Sequence, residues 1–407
     1  KHFKILNKFA VIFSILITIT FVYNFYIFST SNTELYEVKN NKSNNNSISI
    51  NERKNFNNIY FIIFDAMMPL ENFKKDTIFK NQLDVDINNI ISQFNSDFKY
   101  IKDSVSNYNN TKLSISSIFY NKYFLDTESE KFKNYNNFYP YFFYNQNKVN
   151  NLDLLNILKK NEVKFTWFSN STQPCKNVTG INCGSSSSFK THALNEFKIF
   201  YAKTPIITIL DKLTSSLDKE IPSDDLLDYI KDANKIKNKN NFFFIHNMIP
   251  NGNATAYDSN CNIVEKKEIS YSDRYLCSIK KITELTELIS RYDDDALVII
   301  TADHGVASFT LIKESRLMGD ILINERTYDP RIFTLIKFPK NCSNIAPKNY
   351  HNLNLVRYLL NCNYSQNLDY LPYFLFRAYG EDSKNFGKVT DITKSIKKYL
   401  NKIKQNN

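Results

Sequence analysis

No stretch of this sequence gathers its basic residues into a stripe. A formal net charge of +11 over 407 residues would suit a nucleic acid. Its lysines, however, are scattered among Asn, Ile, Phe and Tyr, which argues against a nucleic-acid partner. Glycine is also scarce, at seven residues. With the excess of Asn, Lys, Ile, Phe and Tyr, that scarcity reflects a base-composition bias and not a prion-like tract. Zinc-knuckle spacing is missing among the six cysteines. They fall instead into local pairs: Cys175 with Cys183, Cys261 with Cys277, and Cys342 with Cys362. In an exported chain the economical reading is three short-loop disulfides, with six unrelated buried thiols as the alternative.

Export is what the amino-terminal region implies. Phe9 to Phe28 carries no charge and is long enough to cross a bilayer core as a helix at about 1.5 Å per residue. Lys1, Lys4 and Lys8 precede it, so the positive-inside tendency delivers everything after Ser29 to the other side. The run is too long for a signal-peptide core and no Ala-x-Ala-like site follows, which favours a single-pass anchor over a cleaved leader. Residues 1–28 therefore form a cytoplasmic stub and transmembrane helix. The Asn-, Ser- and Lys-rich residues 29–57 form a polar tether. At the far end, 381–407 is a basic amphipathic tail with Ile392, Ile396, Leu400 and Ile403 on one face and Lys394, Lys397, Lys398 and Lys402 around the rest. Packing on the domain and lying on anionic lipid both remain open for it.

Between tether and tail the apolar patterning is that of an α/β domain, and the length is ample for one large core. Ala296 to Ile300 is an unbroken apolar run that leads through Thr301 and Ala302 to Asp303-His304-Gly305. Such a run suits a strand covered on both faces, and strand ends are where ligands collect in open α/β sheets. A carboxylate beside an imidazole, with a glycine that lets the backbone turn, makes a compact pair of metal ligands; a plain turn is the alternative. Ile59 to Phe64 is a second such strand, ending on Asp65. A helical segment follows near Val85 to Phe94, and then the polar turn Ser106 to Asn110 leads into a helix that places Thr111 at its amino terminus. Free N–H groups there favour an anion or an alkoxide, unless Thr111 is an ordinary cap. Further expected elements are a helix over Leu152 to Leu158, a strand over Val163 to Phe168 feeding a loop with Cys175 and Cys183, and a strand Asn241 to His246. A core-facing helix Tyr271 to Tyr292 and a strand Arg331 to Phe338 complete the series.

In this order the stretches resemble the alkaline phosphatase superfamily, and within it the membrane-anchored sulfatase-like transferases: phosphoethanolamine transferases and lipoteichoic acid synthases. Ile59 to Asp65 is similar to the first metal-binding strand, Asn107 to Ser117 to the nucleophile turn, and Asp303-His304-Gly305 to the second metal-binding element. Trp167-Phe168-Ser169-Asn170 leading to Cys175 and Cys183 resembles the Trp-to-Cys loop of phosphoethanolamine transferases. The segment Leu355 to Tyr373, with Cys362, resembles the family's carboxyl-terminal end. Three departures stand out. Asp65 is found where the transferases mostly carry Glu, Asn251 where relatives carry a second His, and no His occurs between Val306 and Pro330.

The resemblance implies a three-layer α/β/α sandwich with a mostly parallel sheet, spanning 58–380 as a sulfatase-like catalytic domain. Asp65, Asp303 and His304 would hold one divalent metal, zinc first and manganese second, with Thr111 as both ligand and nucleophile. His246 and Asn251 would contact substrate. Implied too are a phospholipid donor such as phosphatidylethanolamine, an envelope glycan or lipid-sugar acceptor, and a monomer in a bacterial inner membrane with its domain in the periplasm or outside. Two other functions stay open: a sulfatase-like hydrolase of sulfate or phosphate esters, and a catalytically worn envelope binding protein. Thr111-Lys112-Leu113-Ser114-Ile115 offers no Cys/Ser-x-Pro-x-Arg setting for the first of these.

Overall fold

The structure is a computed structural model, and it describes residues 57–71, 86–94, 96–123, 152–169, 182–185, 222–232, 236, 240–251, 256–264, 270–305, 307–308, 327–339, 342, 345–347, 349–378, 389–394 and 397, together with 14 and 18. Apart from Ser14 and Thr18, the expected anchor Phe9–Phe28 lies outside these, as do the tether up to residue 56 and most of the tail. Among the described residues no helix is long and apolar enough to cross a membrane.

The described residues include thirteen strands and six helices that frame the site. The strands are β1 (Ile59–Asp65), β2 (Phe98–Tyr100), β3 (Lys164–Ser169), β4 (Asn182–Ser185), β5 (Asn241–Pro250), β6 (Ala256–Tyr257), β7 (Ile263–Val264), β8 (Leu297–Ala302), β9 (Ala307–Ser308), β10 (Thr327–Tyr328), β11 (Thr334–Lys337), β12 (Phe376–Ala378) and β13 (Val389–Asp391). The helices are α1 (Ile87–Gln93), α2 (Thr111–Tyr120), α3 (Asp153–Lys160), α4 (Pro222–Lys231), α5 (Tyr271–Tyr292) and α6 (Asn352–Tyr364).

Seven strands form the main sheet in the order β2-β11-β8-β1-β5-β3-β4. The β8-β1-β5-β3-β4 portion is parallel throughout, while β11 runs antiparallel to both of its neighbours. Every residue of β1 and β8 is buried, as expected of parallel strands with helices on both faces. Alternate residues of β1 feed two separate cores. Ile59, Phe61 and Ile63 pack with α2, α3 and α6, and Tyr60, Ile62 and Phe64 pack with α1, α4 and α5. This is the expected three-layer sandwich. Each fully buried Leu or Ile in those layers contributes roughly 1.5–3 kcal/mol relative to exposure.

Several boundaries differ from the sequence expectations. β5 does not stop at His246 but runs on to Pro250, which leaves the imidazole inside the strand. The expected strand Arg331–Phe338 shortens to Thr334–Lys337, because Arg331 makes only an isolated bridge to Val105. The region expected to be a Cys-bearing loop contains a strand, β4, so the backbone of Cys183 joins the edge of the sheet. Cys175 lies outside the described residues, and with it the expected Cys175–Cys183 pair. The other two expected disulfides are formed: Cys261–Cys277 ties the turn before β7 to α5, and Cys342–Cys362 ties the segment after β11 to α6.

Candidate active site

β1 and β8 lie side by side and parallel, with Phe64 opposite Ala302, so the residues just past their carboxyl ends meet. Asp65, Asp303 and His304 are all buried, and one side-chain ligand atom from each lies within 4.8 Å of the others. Nε2 of His304 is 3.4 Å from Oδ1 of Asp65 and 3.5 Å from Oδ2 of Asp303.

Backbone groups orient two of these side chains, those of Asp303 and His304. Oδ1 of Asp303 accepts from the N–H groups of Ala66 and His304, both at 2.9 Å, and its Oδ2 is buried with no hydrogen-bond partner. One oxygen is anchored and the other left for a ligand. Ala66 reaches Asp303 from a left-handed backbone (φ 52°), a conformation that costs a non-glycine residue on the order of 1 kcal/mol or more. Nδ1 of His304 lies 2.7 Å from the carbonyl of Gly305. Because a carbonyl only accepts, Nδ1 carries the proton and the Nε2 lone pair faces the two carboxylates. Gly305 is required at that bend, since a Cβ on it would sit 1.7 Å from the backbone oxygen of Asp329.

Thr111 completes the group from the other side of the crevice. Its Oγ1 is 3.1 Å from Nε2 of His304 and 3.5 Å from Oδ1 of Asp65. It is not the helix cap, because the Asn110 side chain takes that place by accepting from the N–H of Lys112 at 3.0 Å. The Thr111 hydroxyl is thereby free to face the cluster at the positive end of α2.

Electrostatically the cluster calls for a cation. Burial, then the charge of Asp303, pushes the Asp65 carboxyl up to about 7, against smaller downward pulls from His304, Asn251 and Thr111. Burial acts downward on His304, but the Asp303 and Asp65 carboxylates and the Gly305 carbonyl outweigh it and hold the imidazole above its usual value. Two buried carboxylates and an imidazole lone pair, with one carboxylate oxygen unpartnered, form a hard O/N donor set that fits Zn²⁺ or Mn²⁺.

The two expected substrate residues take different positions. Asn251 is exposed at the mouth; its N–H donates to the Asp65 carbonyl at 3.3 Å, and its side-chain amide acts to lower the Asp65 pKa. His246 is buried inside β5, opposite Ile63, and neither ring nitrogen has a hydrogen-bond partner. Burial lowers its pKa, with Asp303 and His304 acting in opposite senses.

Other residues of the site carried no signal in the sequence. Asn107 donates to Tyr123 Oη at 2.7 Å and the Phe374 carbonyl at 3.2 Å, and accepts from the N–H of Leu353 at 3.2 Å. Asn109 exchanges hydrogen bonds with both backbone groups of Ala378, and together the two asparagines fix the turn that presents Thr111. Asn352, the first residue of α6, donates to the Asp303 carbonyl at 2.8 Å. Tyr271 donates to the Ala66 carbonyl at 2.8 Å, steadying the bend behind Asp65. The polar turn before α2 was readable as a turn, but most of its partners lie more than about 200 positions away, beyond the reach of any local pattern.

A buried Asp/Asp/His cluster that could hold a metal ion lies beside a threonine hydroxyl where two parallel strands end. No protein-family model matches the chain and no curated protein matches it in sequence. Solved structures do resemble it. The lipoteichoic acid synthase LtaP from Listeria monocytogenes matches at 10% identity and a TM-score of 0.44, over 79% of this chain and 77% of that one. The carboxyl-terminal periplasmic domain of phosphoethanolamine transferase EptC from Campylobacter jejuni matches at 14% and 0.46, over 76% and 89%. Lipooligosaccharide phosphoethanolamine transferase A from Neisseria meningitidis matches at 12% and 0.42, over 83% of this chain and 59% of that one. At these values the likeness does not assign an activity, which has to come from the site itself.

Proposed function

We propose that the chain is a metal-dependent transferase that moves a phospho-headgroup, phosphoethanolamine in the first instance, from a membrane phospholipid to an envelope glycan or lipid-sugar through a phospho-threonine on Thr111. The observation that carries this is the approach of Thr111 Oγ1 to His304 and Asp65 at 3.1 and 3.5 Å, with the capping role taken by Asn110.

Asp65, Asp303, His304 and Thr111 would hold one divalent cation, zinc before manganese. When bound, such a cation neutralises charge on a phosphoryl group and lowers the pKa of a nearby hydroxyl. The protein's own part begins with Asn107 and Asn109, which hold the turn so that the Thr111 hydroxyl faces the incoming phosphorus. Thr111 Oγ1 attacks, its bond to phosphorus forms as the glycerol oxygen–phosphorus bond breaks, and the threonine proton ends on the departing diacylglycerol. The N–H groups of the first turn of α2 favour the negative charge that builds up. An acceptor hydroxyl then attacks the phospho-threonine, and Thr111 recovers its proton from that hydroxyl. Asn251, with a neutral amide, and His246 are the residues that contact substrate.

The catalytic unit is 58–380, carried by the Phe9–Phe28 anchor on a bacterial inner membrane and acting as a monomer on the outer side. The Cys261–Cys277 and Cys342–Cys362 bridges support an oxidising compartment. Full-length chain in vesicles with phosphatidylethanolamine labelled in its headgroup tests the proposal. Diacylglycerol release with label on Thr111 is expected; cleavage of a sulfate ester with no label on Thr111 would overturn it in favour of a sulfatase.

A further inference from the structure

The first turn of α5 lies beside the Asp65 end of β1 and carries Arg274. Nε of Arg274 donates to the carbonyl of Pro250. Pro250 is the residue paired with Asp65 across the β1–β5 ladder, and it immediately precedes Asn251, whose N–H donates to the Asp65 carbonyl at 3.3 Å. One helical turn earlier, Tyr271 Oη donates to the carbonyl of Ala66, just after Asp65. Arg274 is thus fixed through one edge of its guanidinium to the strand position beside a candidate metal ligand. It is half-buried, and its two terminal nitrogens donate to no described residue. Among the described residues no carboxylate within hydrogen-bond reach claims them; Asp273, its neighbour in sequence, is bound instead to Ser270 in the helix's capping box.

Charge and geometry both bear on what would fill that fork. Asp65 and Asp303 together offset a divalent cation, so a phosphodiester arriving with one negative charge finds no compensation from the cluster alone. A guanidinium anchored by Nε presents its two terminal N–H groups in a fixed plane, which matches two oxygens of a phosphoryl group. A role confined to bracing the β5 end would need only the Nε contact. We propose that Arg274 is a substrate-binding residue that recognises the phosphoryl oxyanion at the mouth of the site. This rests on the proposed phosphoryl-transfer function.

The test uses zinc-loaded full-length chain and compares Arg274→Gln and Arg274→Lys with the native protein. Calorimetry measures affinity for inorganic phosphate and, separately, for a short-chain phosphatidylethanolamine; zinc affinity and thermal unfolding are followed in parallel. Arg274→Gln is expected to weaken phosphoryl binding at least about tenfold and to raise KM with little change in kcat. Arg274→Lys, which keeps the charge and loses the fork, is expected to recover part of that loss. Zinc affinity and Tm should stay near native. Loss seen with both ligands assigns the fork to a lipid-borne phosphodiester, and loss with inorganic phosphate alone assigns it to a soluble phosphate ester; each supports the oxyanion role. Native affinity in Arg274→Gln overturns the proposal. So does a joint fall in Tm, zinc affinity and phosphate binding that Arg274→Lys does not relieve, because that pattern belongs to a brace. If the native protein binds neither phosphoryl ligand, the phosphoryl-transfer function itself fails.

Discussion

Oγ1 of Thr111 lies 3.1 Å from Nε2 of His304, although the two residues are 193 positions apart and stand on different elements. One begins a helix that packs on one face of the sheet, and the other follows β8, the neighbour of the central strand β1. Their meeting joins two weak sequence signals, a helix-starting threonine and an Asp-His-Gly turn, into one buried cluster.

Removing the hydroxyl in Thr111→Ala is therefore expected to lower turnover at least about 100-fold, a barrier change of roughly 2.7 kcal/mol. The fold should survive, since Asn110 keeps capping α2, and thermal unfolding is expected within about 1 kcal/mol of native. Turnover of headgroup-labelled phospholipid and a melting curve on the same sample check both parts. Activity within about tenfold of native would remove Thr111 as the nucleophile.

Metal affinity is expected to depend on pH through the Asp65 carboxyl. With no metal bound, burial and the Asp303 charge hold this group up to about 7. A cation must displace that proton, so affinity should rise as pH climbs through about 7 and flatten above it, with proton release at lower pH. The same shift has a stability sign. Because the folded carboxyl keeps its proton at pH values where the unfolded one has lost it, metal-free protein should lose stability as pH rises from about 4 to about 7. Calorimetric titrations in buffers of differing ionisation enthalpy measure the release; pH-independent affinity would contradict it.

Much of this frame was legible in the sequence because buried parallel strands have a simple signature. Ile59–Asp65 and the strand leading to Asp303 stood out as apolar runs ending on acids, and the apolar spacing of α5 marked both of its ends. Strand direction carries no such signature, so the reversed β11 showed only as another apolar run. In the sequence Arg274 is one more polar position on an amphipathic helix, since nothing in spacing says that its Nε meets Pro250. Asn352 was hidden for a similar reason, as its reach to the Asp303 carbonyl depends on how α6 docks.

Gly305→Ala should be strongly destabilising to the site. The added Cβ meets the Asp329 carbonyl at 1.7 Å, and its nearest neighbours are backbone atoms, so the Asp303-His304 turn has to move. A loss of more than about 2 kcal/mol is expected, with metal binding weakened further. Unfolding and zinc titration of the purified variant measure these; native values for both would show that the turn is slack.

Reduction of the two observed disulfides should lower stability without abolishing the fold. Their sequence separations of 16 and 20 limit each to roughly 3 kcal/mol through the unfolded chain, small beside a double-sided core. Non-reducing peptide maps should also show Cys175 joined to Cys183. Free thiols in chain taken from its native compartment would contradict both the pairing and the exported topology.

Every step of the proposed chemistry depends on Asp65, Asp303 and His304 holding a metal beside Thr111, and elemental analysis of the full chain, purified without added metal, decides whether they do. One zinc or manganese per chain is expected, removable by chelator with loss of activity and restored with it, and absent from Asp303→Ala and His304→Ala. A native chain that is active and metal-free, or an Asp303→Ala chain that keeps its metal, would contradict that role for the cluster.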